Sequence, residues 1–154
     1  MITSTSSLTL QETRDQLFFH KNVHKLLAQC EDCVLFTSVE EAVAKYFYLD
    51  YFHLYIARLE EKAVGLIGVE LVEPGAALIH HLCVDLKYRW RGIGSNMIRS
   101  LVDEMGLDYL EARTTELDAG FYKANGFKTH SIRSFRRQLD EYGCVWTRGS
   151  ITKE

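Results

Sequence analysis

Two spacings of apolar residues alternate along the chain, and each change of spacing marks a change of element. Tyr51 to Leu59 and Ala63 to Val72 are apolar runs parted by Glu60-Glu61-Lys62, the pattern of a β-hairpin. Pro74-Gly75 then turns the chain into Ala77-Leu78-Ile79-His80-His81-Leu82-Cys83-Val84, which is apolar at most positions and too short for a solitary helix. That predicts a strand covered on both faces. Beyond it the spacing becomes helical: Ile93, Met97, Ile98, Leu101, Val102 and Met105 share a face, and Gly106 supplies a stop. Tyr109 to Thr115 predicts a further strand and Glu116 to Asn125 a further helix. Phe127 to Arg136 and Cys144 to Thr152 predict a closing pair of strands around Asp140-Glu141-Tyr142-Gly143. At the other end, Ser7 to Leu10 predicts a short strand and Gln11 to Gln29 a helix with an imperfect apolar face. Ser38-Val39-Glu40-Glu41 has the capping pattern of a helix running to about Tyr48. The order β-α-α-β-β-β-α-β-α-β-β predicts an α/β (α+β) fold, with a mixed, mostly antiparallel central sheet and helices on both faces.

Composition narrows the classes of function. The 154 residues suit one domain, 1–154, able to bury a substantial core, and a single proline with ten scattered glycines leaves no linker. A net charge of −3 offers no broad basic face, so nucleic acid is not an expected partner. Met1 to Ser7 lacks the basic-then-apolar order of a secretory signal, and no apolar run reaches membrane-spanning length, which predicts a cytoplasmic protein without membrane association. Four cysteines in such a setting predict reduced thiols. Cys30 and Cys33 have the spacing of half a zinc knuckle, but no second Cys or His pair follows, so no metal is expected.

One stretch changes this picture. Arg89-Trp90-Arg91-Gly92-Ile93-Gly94 joins the central strand to the amphipathic helix. A helix N-terminus presents amides that lack internal partners and the positive end of the dipole, and glycines let an anion approach. Lys87, Arg89 and Arg91 add positive charge around that opening. The nucleotide loops do not fit: there is no Gly-x4-Gly-Lys-Ser/Thr run, and Met97 stands where a dinucleotide fingerprint needs its third glycine.

The stretch resembles the acetyl-CoA signature of the GNAT family of N-acetyltransferases, Arg/Gln-x-x-Gly-x-Gly/Ala, at Arg89, Gly92 and Gly94. Val84-Asp85 and Tyr88-Arg89 match the pairs that precede it. Downstream, Phe121-Tyr122-Lys123-Ala124-Asn125-Gly126-Phe127 is similar to the family's Phe-Tyr-x-x-x-Gly-Phe segment. The resemblance extends from about Leu54 to Phe127. It implies two parallel central strands that splay apart, with acetyl-CoA as acyl donor and direct transfer to the primary amine of a small-molecule or peptide acceptor, by a monomer or homodimer. It further implies that pantetheine runs along Leu82, Cys83 and Val84, and that the pyrophosphate rests on the amides of Arg89, Trp90, Arg91, Gly92, Ile93, Gly94 and Ser95. Tyr122 would protonate the sulfur of departing CoA. Where the family often carries an asparagine, seven residues before the tyrosine, this chain has Thr115, whose hydroxyl would have to replace that contact.

Transfer to an amine also needs a base. Alternation sends His80 and His81 to opposite faces, and it puts His80 with Leu82 and Val84, at a position resembling a catalytic histidine of the family's arylalkylamine branch. Glu70 and Glu111 are rivals, since a strand carboxylate in a cleft can have its pKa raised, and a water chain is a further alternative. Cys83 reads as core rather than nucleophile. The aromatic run Tyr46 to Tyr55, with Asp50, reads either as packing or as a holder for a cationic amine. A non-catalytic acyl-CoA sensor would carry the same cofactor signature, but Tyr122 and the polar central strand favour an enzyme.

Overall fold

A computed structural model describes residues 8–15, 17–30, 38–133 and 140–151. Seven strands form one sheet in the order β1-β2-β3-β4-β5-β7-β6: β1 Leu8–Thr13, β2 Phe52–Leu59, β3 Lys62–Glu73, β4 Ala76–Val84, β5 Tyr109–Thr115, β6 Lys128–Arg133 and β7 Asp140–Thr147. Only β4 and β5 pair in parallel; the other neighbours are antiparallel. The helices are α1 Lys21–Ala28, α2 Val39–Tyr48, α3 Ile93–Met105, α4 Glu116–Ala124 and a short α5 Arg148–Ile151. The expected fold class is therefore the observed one.

Each face of the sheet carries its own core. Ile98, Leu101 and Val102 of α3 and Tyr122 of α4 pack on Ile67, Val69, Ile79, Leu110 and Ala112. On the other face, Val23, Leu26 and Leu27 of α1 and Ala42, Val43 and Tyr46 of α2 pack on Phe52, Leu54, Leu66 and Cys83. Local chemistry sets the helix ends. The Ser38 hydroxyl accepts from the Glu41 amide at 3.1 Å, and α3 runs between Gly92 and Gly106, both left-handed, at φ 78° and 62°.

Three expectations need correction. Gln11 to Thr13 is strand rather than helix, because β1 pairs with β2 from Leu8 against Leu59 to Thr13 against Leu54; the chain then makes a 3-10 turn at Leu17–Phe19 before α1 begins. Long-range pairing overrides the weak helical spacing of that stretch. Asp140 to Gly143 is strand rather than turn. Gly143 lies opposite His130, whose ring fills the space a Cβ would need, so the glycine serves close cross-strand packing. Arg148 to Ile151, expected as strand, form α5. Ser7, the knuckle residues Glu31 to Cys33, positions 134–136 and Thr152 lie outside the described residues. Among the described residues there is no group of three His, Cys, Asp or Glu placed to hold a metal, and no helix long and apolar enough to cross a membrane.

Candidate active site

The parallel pairing of β4 with β5 runs only from Ala76 against Tyr109 to Ile79 against Ala112. Past that point β4 stays bonded to β3 as far as Val84, and β5 to β7 as far as Thr115. The two central strands therefore part, and His80 is the first residue of β4 beyond the last pair. The gap opens toward the N-terminus of α3.

A bulge falls at the same residue. Ile79 is opposite Val69 and His81 opposite Gly68, which leaves His80 as the extra residue of β4. This overturns the expected alternation. His80 stacks on Phe52, with ring centroids 5.1 Å apart, and His81 bonds Tyr46 of α2, so both histidines face α1 and α2, while Leu82 packs toward α3 and α4. His80 thus does not share a face with Leu82 and Val84.

His80 Nε2 lies 2.9 Å from Oε1 of Glu70, and the His80 side chain is 4% exposed against 27% for the carboxylate. Burial holds the His80 pKa below the ordinary imidazole value; the bond to Glu70 opposes this shift, and Lys45 adds to it. Lys45 itself sits over the Phe52 ring. Glu70 and Glu111 both register with Leu78, one from each side, so the two residues lie on one face with their backbones about 10 Å apart, two strand spacings. Glu111 accepts the Tyr109 hydroxyl at 2.9 Å.

Tyr122 comes from the other face. It is 6% exposed, packed edge-on against Phe121 and Phe127, and burial raises its pKa well above the ordinary phenolic value. Thr115 ends β5 at the cap position of α4, and its side chain makes no capping hydrogen bond. Cys83 is buried with Leu66 beneath α1 and α2.

The turn before α3 is ordered by its own polar contacts. Asp85 accepts from the Lys87 amide at 3.1 Å, Arg89 Nε reaches back to the Val84 carbonyl at 3.0 Å, and Arg91 lies over the Tyr88 ring. The first intrahelical bond to Gly92 comes from Asn96, so the amides of Ile93, Gly94 and Ser95 have no helical partner. A Cβ at Gly92 would meet nothing within 4 Å, whereas one at Gly94 would come 3.1 Å from Phe121. Trp90 is fully exposed and left-handed, at φ 69°.

Residues 50–129 match the family model described as "Acetyltransferase (GNAT) domain". This chain belongs to the GNAT acetyltransferase family. A stretch of 50 residues is 40% identical to an "Uncharacterized N-acetyltransferase in lysA 3'region" of Bacillus methanolicus. The match covers 32% of this chain and 42% of that protein, so the chain spans less than half the length of the curated relative it matches. Among solved structures, a GNAT acetyltransferase of Elizabethkingia anophelis with acetyl-CoA bound aligns at a TM-score of 0.68 and 15% identity, over 93% of this chain and 99% of that one. The ribosomal-protein-S18-alanine N-acetyltransferase of Escherichia coli aligns at 0.72 and 15%, over 92% and 94%. At that identity these two structures establish the GNAT fold.

The aromatic run divides on folding. Tyr46, Phe52 and Tyr55 are buried, while Tyr48, Tyr51 and Asp50 are exposed. Sequence reading missed Arg14, whose guanidinium donates to the carbonyls of Tyr46, Leu49 and Phe52 at 2.6 to 3.0 Å and so ties the end of α2 to the start of β2. No local pattern announces a contact made across more than thirty residues.

Proposed function

We propose that this protein acts as a single domain that transfers an acetyl group from acetyl-CoA directly to the primary amine of a small-molecule or peptide acceptor. The observation that carries this reading is the parting of β4 and β5 at His80, beside the unpartnered amides of α3. The gap would take the pantetheine along Leu82 to Val84, and the amides of Arg89 to Ser95 would take the pyrophosphate. Thr115 offers a hydroxyl at the far wall.

The two faces of the gap divide the proton work. His80, oriented by Glu70, stands on the side of α1 and α2, and Tyr122 on the side of α3 and α4. The acceptor nitrogen gives up a proton to neutral His80 and bonds the acetyl carbon, the carbon–sulfur bond breaks, and the leaving thiolate takes the Tyr122 proton. A lowered imidazole pKa keeps His80 neutral near pH 7, and a raised phenol pKa keeps Tyr122 protonated. Glu111, on the same face, is the rival base.

A panel of amines incubated with acetyl-CoA and read by thiol release, with the amide confirmed by mass, tests this reading. At least one primary amine should release thiol above the hydrolysis background and gain one acetyl group. Binding of CoA with no acetyl transfer to any amine would overturn the catalytic reading and leave an acyl-CoA sensor.

A further inference from the structure

His81 has no place in the proton steps above, yet it is only 2% exposed, and its Nδ1 lies 2.6 Å from the hydroxyl of Tyr46, itself 1% exposed. A buried polar pair spanning a helix and a strand is costly unless satisfied, and when satisfied it fixes the two elements against each other. Tyr46 reaches His81 only because position 68 is glycine: the Tyr46 ring and hydroxyl occupy the space of the missing Cβ. Gly68 is also the residue opposite His81, where the bulge begins.

The same tyrosine touches the other support of His80. Its ring meets Phe52 edge-on at 5.6 Å, and the Phe52 ring lies nearly parallel to His80, at 21° and 5.1 Å. Tyr46 is thus joined to His80 by two routes, through its chain neighbour His81 and through the ring on which His80 stacks. From these contacts we infer that Tyr46 and His81 are a positioning pair: their hydrogen bond pins the bulge of β4 and so fixes His80 at the edge of the gap, on the side of α1 and α2. The inference rests on the reading of that gap as the acetyl-transfer site.

The groups that face this pair are Cys30 from the end of α1 and His80 beside it in β4; His80 in turn faces Glu70 of β3 and Lys45 of α2. Burial lowers the His81 pKa to about 4 against an opposing pull from Cys30, so His81 is a neutral ring at working pH. A neutral ring can accept the Tyr46 hydroxyl at Nδ1 while carrying its proton on Nε2, the tautomer this pairing calls for.

Tyr46→Phe tests the inference, because it deletes the hydroxyl and keeps the ring. Three results are expected: a fall in kcat of about 10- to 100-fold with the KM for acetyl-CoA unchanged, a rise in the His80 pKa toward its ordinary value in imidazole NMR titration, and loss of the single His81 tautomer. Tyr46→Phe with native fold, kcat within about twofold and an unmoved His80 titration would overturn it. His81 variants provide a second route should Tyr46→Phe not fold. His81→Asn, whose carbonyl can accept from Tyr46, should hold His80 near its parent titration, and His81→Leu should not; equal behaviour of the two overturns the pairing. The NMR readout does not depend on His80 being the base. A pH–rate profile unchanged in His80→Ala would overturn that role alone.

Discussion

The ring of Tyr46 fills the space in which a side chain at Gly68 would stand, so a helix of one layer reaches into the backbone of the sheet at the point where β4 bulges. Gly68→Ala forces the ring out, and overpacking of this kind costs about 1–3 kcal/mol. Gly120 is the contrast: it lies inside α4 with open space around it, and alanine there should stabilise by about 0.5–1 kcal/mol. Chemical denaturation of the two variants should give shifts of opposite sign; shifts of the same sign would show that the Gly68 contact is not limiting.

If His80 is the base, activity falls as the ring becomes protonated, so the acidic limb of the pH–rate profile should lie below the ordinary imidazole value, as burial dictates. Glu70→Gln removes the group that pulls the pKa upward. The acidic limb should then move to still lower pH, with a lower maximal rate from the lost orientation. Movement of the limb upward would mean that another group titrates.

Much of this was legible from spacing alone, and what was not had a common cause. The helical periodicity of Ile93 to Val102, the Ser38 cap, the apolar run of β4 and the glycines that bound α3 are local properties, and the chain folds as they dictate. The faces of His80 and His81 were not legible, because one extra residue in a strand reverses alternation and is set by what packs there, here Tyr46 against Gly68. The edge strand Leu8–Thr13 was half missed for a similar reason, since its partner lies over forty residues away. Arg14 meets the carbonyls of Tyr46, Leu49 and Phe52, and Glu70 meets His80, only once distant parts of the chain are brought together.

His81 should make the protein sensitive to acid. Its folded pKa, near 4, is below the ordinary value of 6.5, so the unfolded chain binds a proton that the folded one refuses. The stability is fully present above about pH 6.5 and is lost as pH falls toward 4, by up to about 3 kcal/mol. His81→Asn should flatten that part of the curve of unfolding free energy against pH. An undiminished slope would assign the loss to other groups.

The proposed anion site at the start of α3 is tested by charge. Gly94→Glu sets a carboxylate against the proposed pyrophosphate position and should weaken CoA binding well beyond tenfold, more than about 1.4 kcal/mol. Gly94→Ala controls for bulk, since its methyl group would press on Phe121 without adding charge. Calorimetry showing equal losses for the two would place the effect in the packing of α3 against α4 rather than in phosphate recognition.

Tyr122 is the candidate acid, and its surroundings make a sharp test possible. Its ring is held edge-on between Phe121 and Phe127 in the core under α3 and α4, so Tyr122→Phe keeps the packing and deletes only the hydroxyl. Burial favours the neutral phenol, which makes it a ready hydrogen-bond donor to a thiolate but a weaker acid than a free phenol. The donation therefore matters most while negative charge is building on sulfur. General acid catalysis of this kind is typically worth about 10²–10⁴-fold, so turnover should fall by that factor while the CoA dissociation constant and the melting temperature stay close to the parent's. The measurement belongs under single-turnover conditions, where product release cannot mask the chemical step. Turnover within about twofold of the parent would make Tyr122 a core residue and leave the thiolate to be protonated by water.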